Sequence, residues 1–148
     1  MTIYGRMVTS DAAAIVILIR LMVGAVFLSE GIQKFLFPAE LGVGRFTRIG
    51  IPAPEFFAPF VAVFEIGCGT LVLLGLLTRF AAIPLIVIML VAISATKIPI
   101  LLSSGFWTMA HEARTDWSML LGSLYLFVVG AGRWSLDGKF DSASRRGT

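Results

Sequence analysis

The stretch FFAPFVAVFEIGCGTLVLLGLLTRFAAIPLIVIMLVAISATKIPILL, residues 56–102, decides the fold. It consists of two apolar runs, 56–77 and 80–102, on either side of Thr78 and Arg79, and its only charges are Glu65, Arg79 and Lys97. Each run is long enough to cross a hydrocarbon layer of about 30 Å, which takes roughly 20 apolar residues per helix. A connection so short makes the two helices antiparallel neighbours. A further apolar run precedes them at 12–36, stopped by Pro38, and another follows at 116–132. The expected fold is therefore all-α: an integral membrane four-helix bundle with helices at about 12–36, 56–77, 80–102 and 116–132. A single domain then occupies 1–148, with a polar tail at 139–148. The last helix is the shortest, so it has to stand nearly upright or use Asp116 and Trp134 as interfacial flanks.

Composition agrees. Of 148 residues 57% are hydrophobic and 14% charged, outside the balance of a soluble domain. The twelve Lys and Arg exceed the nine Asp and Glu, giving a formal charge of +3. They are scattered rather than striped, so the expected surroundings are a lipid bilayer and not nucleic acid. Cys68, the sole cysteine, lies inside an apolar run, which leaves no intrachain disulfide, no CxxC pair and no thiolate cluster. The first apolar run is interrupted by Arg20 and is followed by no small-residue cleavage site before Glu30, so it reads as a mature helix and not a signal peptide. Trp107, Trp117 and Trp134 suit interfacial anchors.

Charges in the loops and tails argue orientation. Arg6, Arg79, Arg133, Lys139, Arg145 and Arg146 fall on the side of the termini, against Lys34, Arg45, Arg48, Lys97 and Arg114 on the other. Setting aside Lys34 and Lys97 as parts of helix ends leaves six against three, which favours cytoplasmic termini in an inner or plasma membrane.

Two groups of residues are candidates for chemistry. Arg20, Gly24, Phe27, Gly31 and Lys34 recur at spacings of four, three, four and three, one seam along the first helix. Val61, Glu65, Cys68, Gly69 and Val72 make a comparable seam on the second, and Ser118, Gly122 and Tyr125 offer one on the fourth. Glycines in such seams allow close helix approach, and the buried charges require partners. At about 1.5 Å per residue, Arg20 lies about 12 Å and Glu65 about 18 Å from the side of the termini. A buried Arg20–Glu65 pair is the structural expectation. A proton-handling or ligand-orienting Glu65 is the functional alternative.

The second group is Glu30, Lys34, Lys97 and Asp116, with His111 and Glu112 nearby, all toward the other face. It reads either as a solvated belt of snorkelling side chains or as a polar mouth for an anionic or quinone-like headgroup, with Lys34 and Lys97 as cationic donors. His111 is the only histidine, so bis-histidine haem is excluded and a protein-only zinc site lacks ligands. No metal and no covalent cofactor are expected. Electron transfer would need a bound organic carrier, such as a quinone, or another subunit. The sequence also holds no nucleotide loop, no GxSxG elbow and no HExxH helix, and it leaves the catalytic residues, if any, unassigned.

Arg20, Gly24, Phe27, Gly31 and Lys34, followed by Gly50-Ile51-Pro52-Ala53-Pro54, resemble the DoxX family of small bacterial and archaeal membrane proteins. Glu65 with its following glycines, Gly75-Leu76-Leu77-Thr78-Arg79 and Gly132-Arg133-Trp134-Ser135-Leu136-Asp137 add to the resemblance, which runs from about Ile15 to Asp137. It implies a four-helix membrane domain. It also implies a subunit associated with quinone-linked oxidoreductases or with assemblies handling oxidative or thiol stress, with oxidoreductase subunits as partners. The sequence departs from the family at Glu30, where members often carry histidine. The alternative from another functional class is a non-catalytic scaffold or a small-solute carrier, which would act as a homo-oligomer.

Overall fold

The computed structural model describes residues 12–132 and 134–139, and the regular elements among them are helices. In chain order these are α1 (Ala12–Leu36), α2 (Val43–Arg48), α3 (Pro54–Leu74), α4 (Thr78–Ser104), α5 (Phe106–Glu112) and α6 (Arg114–Val129). Arg6, Arg133, Arg145, Arg146 and the tail beyond Lys139 lie outside the described residues.

The most extensive packing is α1 on α3, then α4 on α6, and α3–α4 and α1–α6 contacts close a ring of four helices. Large apolar side chains such as Leu18, Phe60, Val87 and Val128 are exposed on the outer faces of this ring. So much contiguous apolar surface suits a bilayer and not water. Among the described residues, Ile15–Leu36, Pro54–Leu74 and Thr78–Ser104 are long and apolar enough to cross a membrane. The expectation of four full spans is corrected at α6. Its 16 residues rise only about 24 Å against a hydrocarbon layer of about 30 Å. It completes the bundle as a shorter member.

Proline and glycine account for the helix ends. Pro54 opens α3 at a position where its missing N–H costs nothing. Gly75 closes it at φ +67°: its N–H donates to Val72 O at 3.1 Å, and that of Leu76 to Leu71 O at 3.0 Å. That pattern satisfies carbonyls the helix would otherwise leave unpaired. The turn is therefore Gly75–Leu77, and Thr78 opens α4 instead of forming the turn with Arg79. The ranges 56–77, 80–102 and 116–132 shift by two or three residues accordingly, and the connection between the last two holds α5.

Glycines bring α1 and α3 together. A Cβ on Gly24 would lie 2.9 Å from Gly69 O, one on Gly31 2.7 Å from Ala62 O, and one on Gly69 2.8 Å from the Leu28 amide nitrogen. Any side chain at these positions would push the helices apart. The α6 seam differs from expectation: Gly122 is buried, but Ser118 and Tyr125 are exposed, and Met119, Ser123 and Leu126 form the inner face.

Candidate functional site

The expected Arg20–Glu65 pair does not form. Arg20 Nε donates to Val72 O at 3.0 Å and Nη2 to Leu73 O at 2.6 Å, in the last turn of α3. Its Nη1 donates to Ala131 O at 3.3 Å and Trp134 O at 2.6 Å, just past α6. The reason is direction. Side chains lean toward the N-terminus of their own helix. On α1 this carries Arg20 toward the end where α3 finishes, while on antiparallel α3 it carries Glu65 the other way. The same lean turns Lys34 back into the bundle, where Nζ lies 2.8 Å from Glu65 Oε2 and 3.6 Å from Glu30 Oε2.

Arg20 thus belongs to a knot at the end of the bundle where α1 begins. Asp137 accepts from the Leu77 N–H at 2.9 Å and the Thr78 N–H at 3.2 Å, capping the start of α4, and its own N–H returns to Gly75 O at 3.0 Å. Leu77 has φ +49°, a conformation that costs a non-glycine residue about 1–2 kcal/mol, and the Asp137 carboxylate is what holds it. A Cβ on Gly75 would come within 2.5 Å of the Arg20 guanidinium and of Ser135. Arg79 donates to Val128 O at 3.1 Å, capping α6. Arg20, the 75–79 turn and Trp134, Ser135 and Asp137 therefore meet in one place, where they join helix ends.

The opposite half holds a cavity of about 490 Å³ between α1, α3, α4 and the start of α6, roofed by α2 and the loop after it. Its walls are largely apolar, with Phe27, Phe46, Phe57 and Phe60 contributing rings. Its charges are Glu30, Lys34, Arg45, Glu65 and Asp116. Three of the four candidate ligand residues therefore line one space. The fourth, Lys97, is buried and lies 2.9 Å from Asp116 Oδ2, outside the cavity wall. A lysine on α4 thus holds a carboxylate at the head of α6.

Glu65 is 4% exposed, and its Oε2 faces Lys34 Nζ at 2.8 Å. The two make a buried ion pair at hydrogen-bonding distance. Arg45 was missed as a site residue. Arg45 and Arg48 alternate with Phe46 and Ile49, the pattern of an amphipathic segment, and α2 is that segment: Phe46 is buried, and Arg45 reaches the cavity. His111 and Glu112 are exposed and stand apart from it. No group of three or more His, Cys, Asp or Glu among the described residues could hold a metal ion. The arrangement offers flat apolar walls to a ring, two cationic donors to its oxygens and a carboxylate pair beside them.

Comparison with known proteins agrees with the fold. Over 138 residues, 89% of this chain and 85% of the relative, the sequence is 59% identical to an uncharacterized membrane protein, Rv3486, of Mycobacterium tuberculosis. No solved structure matches the chain. The DoxX family matches residues 15–98, which take in Arg20, the α1 glycines, Lys34, Glu65, the α3–α4 turn and Lys97. With its apolar bundle and those residues in place, the chain belongs to the DoxX family and is an integral membrane protein.

Proposed function

We propose that this protein is a quinone-binding membrane subunit serving a quinone-linked or oxidative and thiol-stress oxidoreductase. The observation that carries the reading is the Lys34–Glu65 pair: a buried ion pair at 2.8 Å that faces an apolar-walled cavity of ligand size. A quinone ring packs between Phe27, Phe57 and Phe60. Lys34 then donates to one of its carbonyl oxygens, and Glu65 holds a proton beside it. Redox chemistry is supplied by the quinone and by a partner subunit, and the protein positions the headgroup. The termini face the cytoplasm.

The test is binding of a short-chain quinone analogue in nanodiscs to wild type, Lys34→Met and Lys97→Met. Losing a charge-assisted hydrogen bond costs about 1.5–3 kcal/mol, so Lys34→Met should weaken binding at least about tenfold. Lys97→Met acts only through Asp116 and should weaken it less. No binding by wild type refutes the reading and leaves the scaffold or solute carrier. Equal binding by all three variants removes the lysines from the site.

A further inference from the structure

The cavity has two rims. One, at the loop end, is formed by Arg45, Pro52 and Thr115, all exposed. The other lies between α3 and α4. Phe60 on α3 and Val87 and Val91 on α4 line the cavity, yet they are 46%, 53% and 51% exposed. Residues that line a cavity while standing half exposed mark an opening.

The level of this second opening matters. Val87 is nine residues after the start of α4 and Glu65 nine before the end of α3, so both lie about 13 Å from the turn that joins the helices. That is the middle of α3 and a third of the way along the longer α4, well inside both spans. Next to the turn, Ala81, Ala82 and Leu85 bury against the bundle. Farther along, Val87 and Val91 stand on the outward face of α4 and also line the cavity, as Phe60 does on α3. The rim is wholly apolar and opens on hydrocarbon, while the buried carboxylate sits at the same level inside.

We infer that the cavity is entered from the bilayer through the α3–α4 gap. Its ligand is then a membrane-dissolved molecule with its ring beside Lys34 and Glu65 and its apolar chain leaving between Phe60 and Val87/Val91 into lipid. The inference rests on the reading of the cavity as a quinone site and adds how the ligand arrives and which part of it stays in the membrane. A cavity of about 490 Å³ holds a ring and a short chain. A long chain is accommodated only if it can leave sideways.

The experiment uses two probes in nanodiscs, a decyl-substituted benzoquinone and the same ring with a methyl group in place of the chain. Affinities are referred to the concentration of each probe in the bilayer. The proteins are wild type, Val87→Trp, Val91→Trp and, as a control, Leu90→Trp, which alters an exposed α4 residue off the cavity wall. Melting temperatures are taken alongside, and because all three positions face outward, the variants should fold. The expected result is that each rim tryptophan weakens the chained probe at least tenfold and the methyl probe less than threefold, while Leu90→Trp matches wild type. Unchanged binding of the chained probe to both rim variants overturns the inference and leaves the quinone site intact. Equal losses for both probes also overturn it, since the tryptophan would then act on the ring pocket. If wild type binds neither probe, the quinone site and the inference fall together.

Discussion

Arg20 and Lys34 share one face of α1 near its two ends, and their common lean toward the helix N-terminus carries Arg20 to the end of α3 and brings Lys34 back to Glu65. This has a measurable signature in coupling energies. Thermal unfolding of Lys34→Met, Glu65→Leu and the double variant should give a cycle energy of about 1–3 kcal/mol, because the two residues share a buried interaction. The same cycle for Arg20→Leu with Glu65→Leu should close to within about 0.5 kcal/mol, as for independent sites. Arg20→Leu alone should cost about 2 kcal/mol or more, since the carbonyls of Val72, Leu73 and Trp134 lose a charged donor. The need of these charges for partners was legible in the sequence. The partners were not, because residue spacing gives depth along a helix and says nothing of how a side chain leans or how far α1 extends past the end of α3.

Among the elements, the seams on α1 and α3 were the most legible, because glycine at helical spacing has few uses other than close approach. The α3–α4 turn was misjudged by a few residues. Its geometry depends on Leu77 at positive φ, which an apolar run conceals and which Asp137, sixty residues away, sustains. Asp137→Ala should therefore destabilise the bundle by about 1 kcal/mol, the usual cost of losing a helix cap. Melting of that variant in detergent checks it, and a wild-type melting temperature would show that Asp137 does not hold the turn. Gly75→Val should be far more damaging, with little folded protein recovered on size-exclusion chromatography, because the Arg20 guanidinium and Ser135 occupy the space. The α6 seam was misread because a short helix with apolar residues all round has no clear inner face in sequence.

For the molecule as a whole, all-helical membrane architecture followed from composition and run length, while the short α2 and α5 and the length of α6 depart from the expected four spans. The cavity was not legible. It arises where α1, α3, α4 and α6 face one another under the roof made by α2, relations between elements that no single run encodes. Orientation rests on arginines, and some of these have structural duties: Arg79 caps α6, and Arg48 donates to Glu40 O at 2.7 Å. A reporter fused after Thr148 should nevertheless report the cytoplasm, and one inserted near Arg45 the outside; the reverse pattern inverts the assignment.

The central claim is that the cavity beside Lys34 and Glu65 holds a quinone, and native mass spectrometry of the protein extracted with its own lipids tests it most directly. Wild type should carry a quinone mass enriched over the surrounding lipid, and Lys34→Met should lose it while remaining folded. Wild type with no quinone above the lipid background, or Lys34→Met retaining as much quinone as wild type, would contradict it.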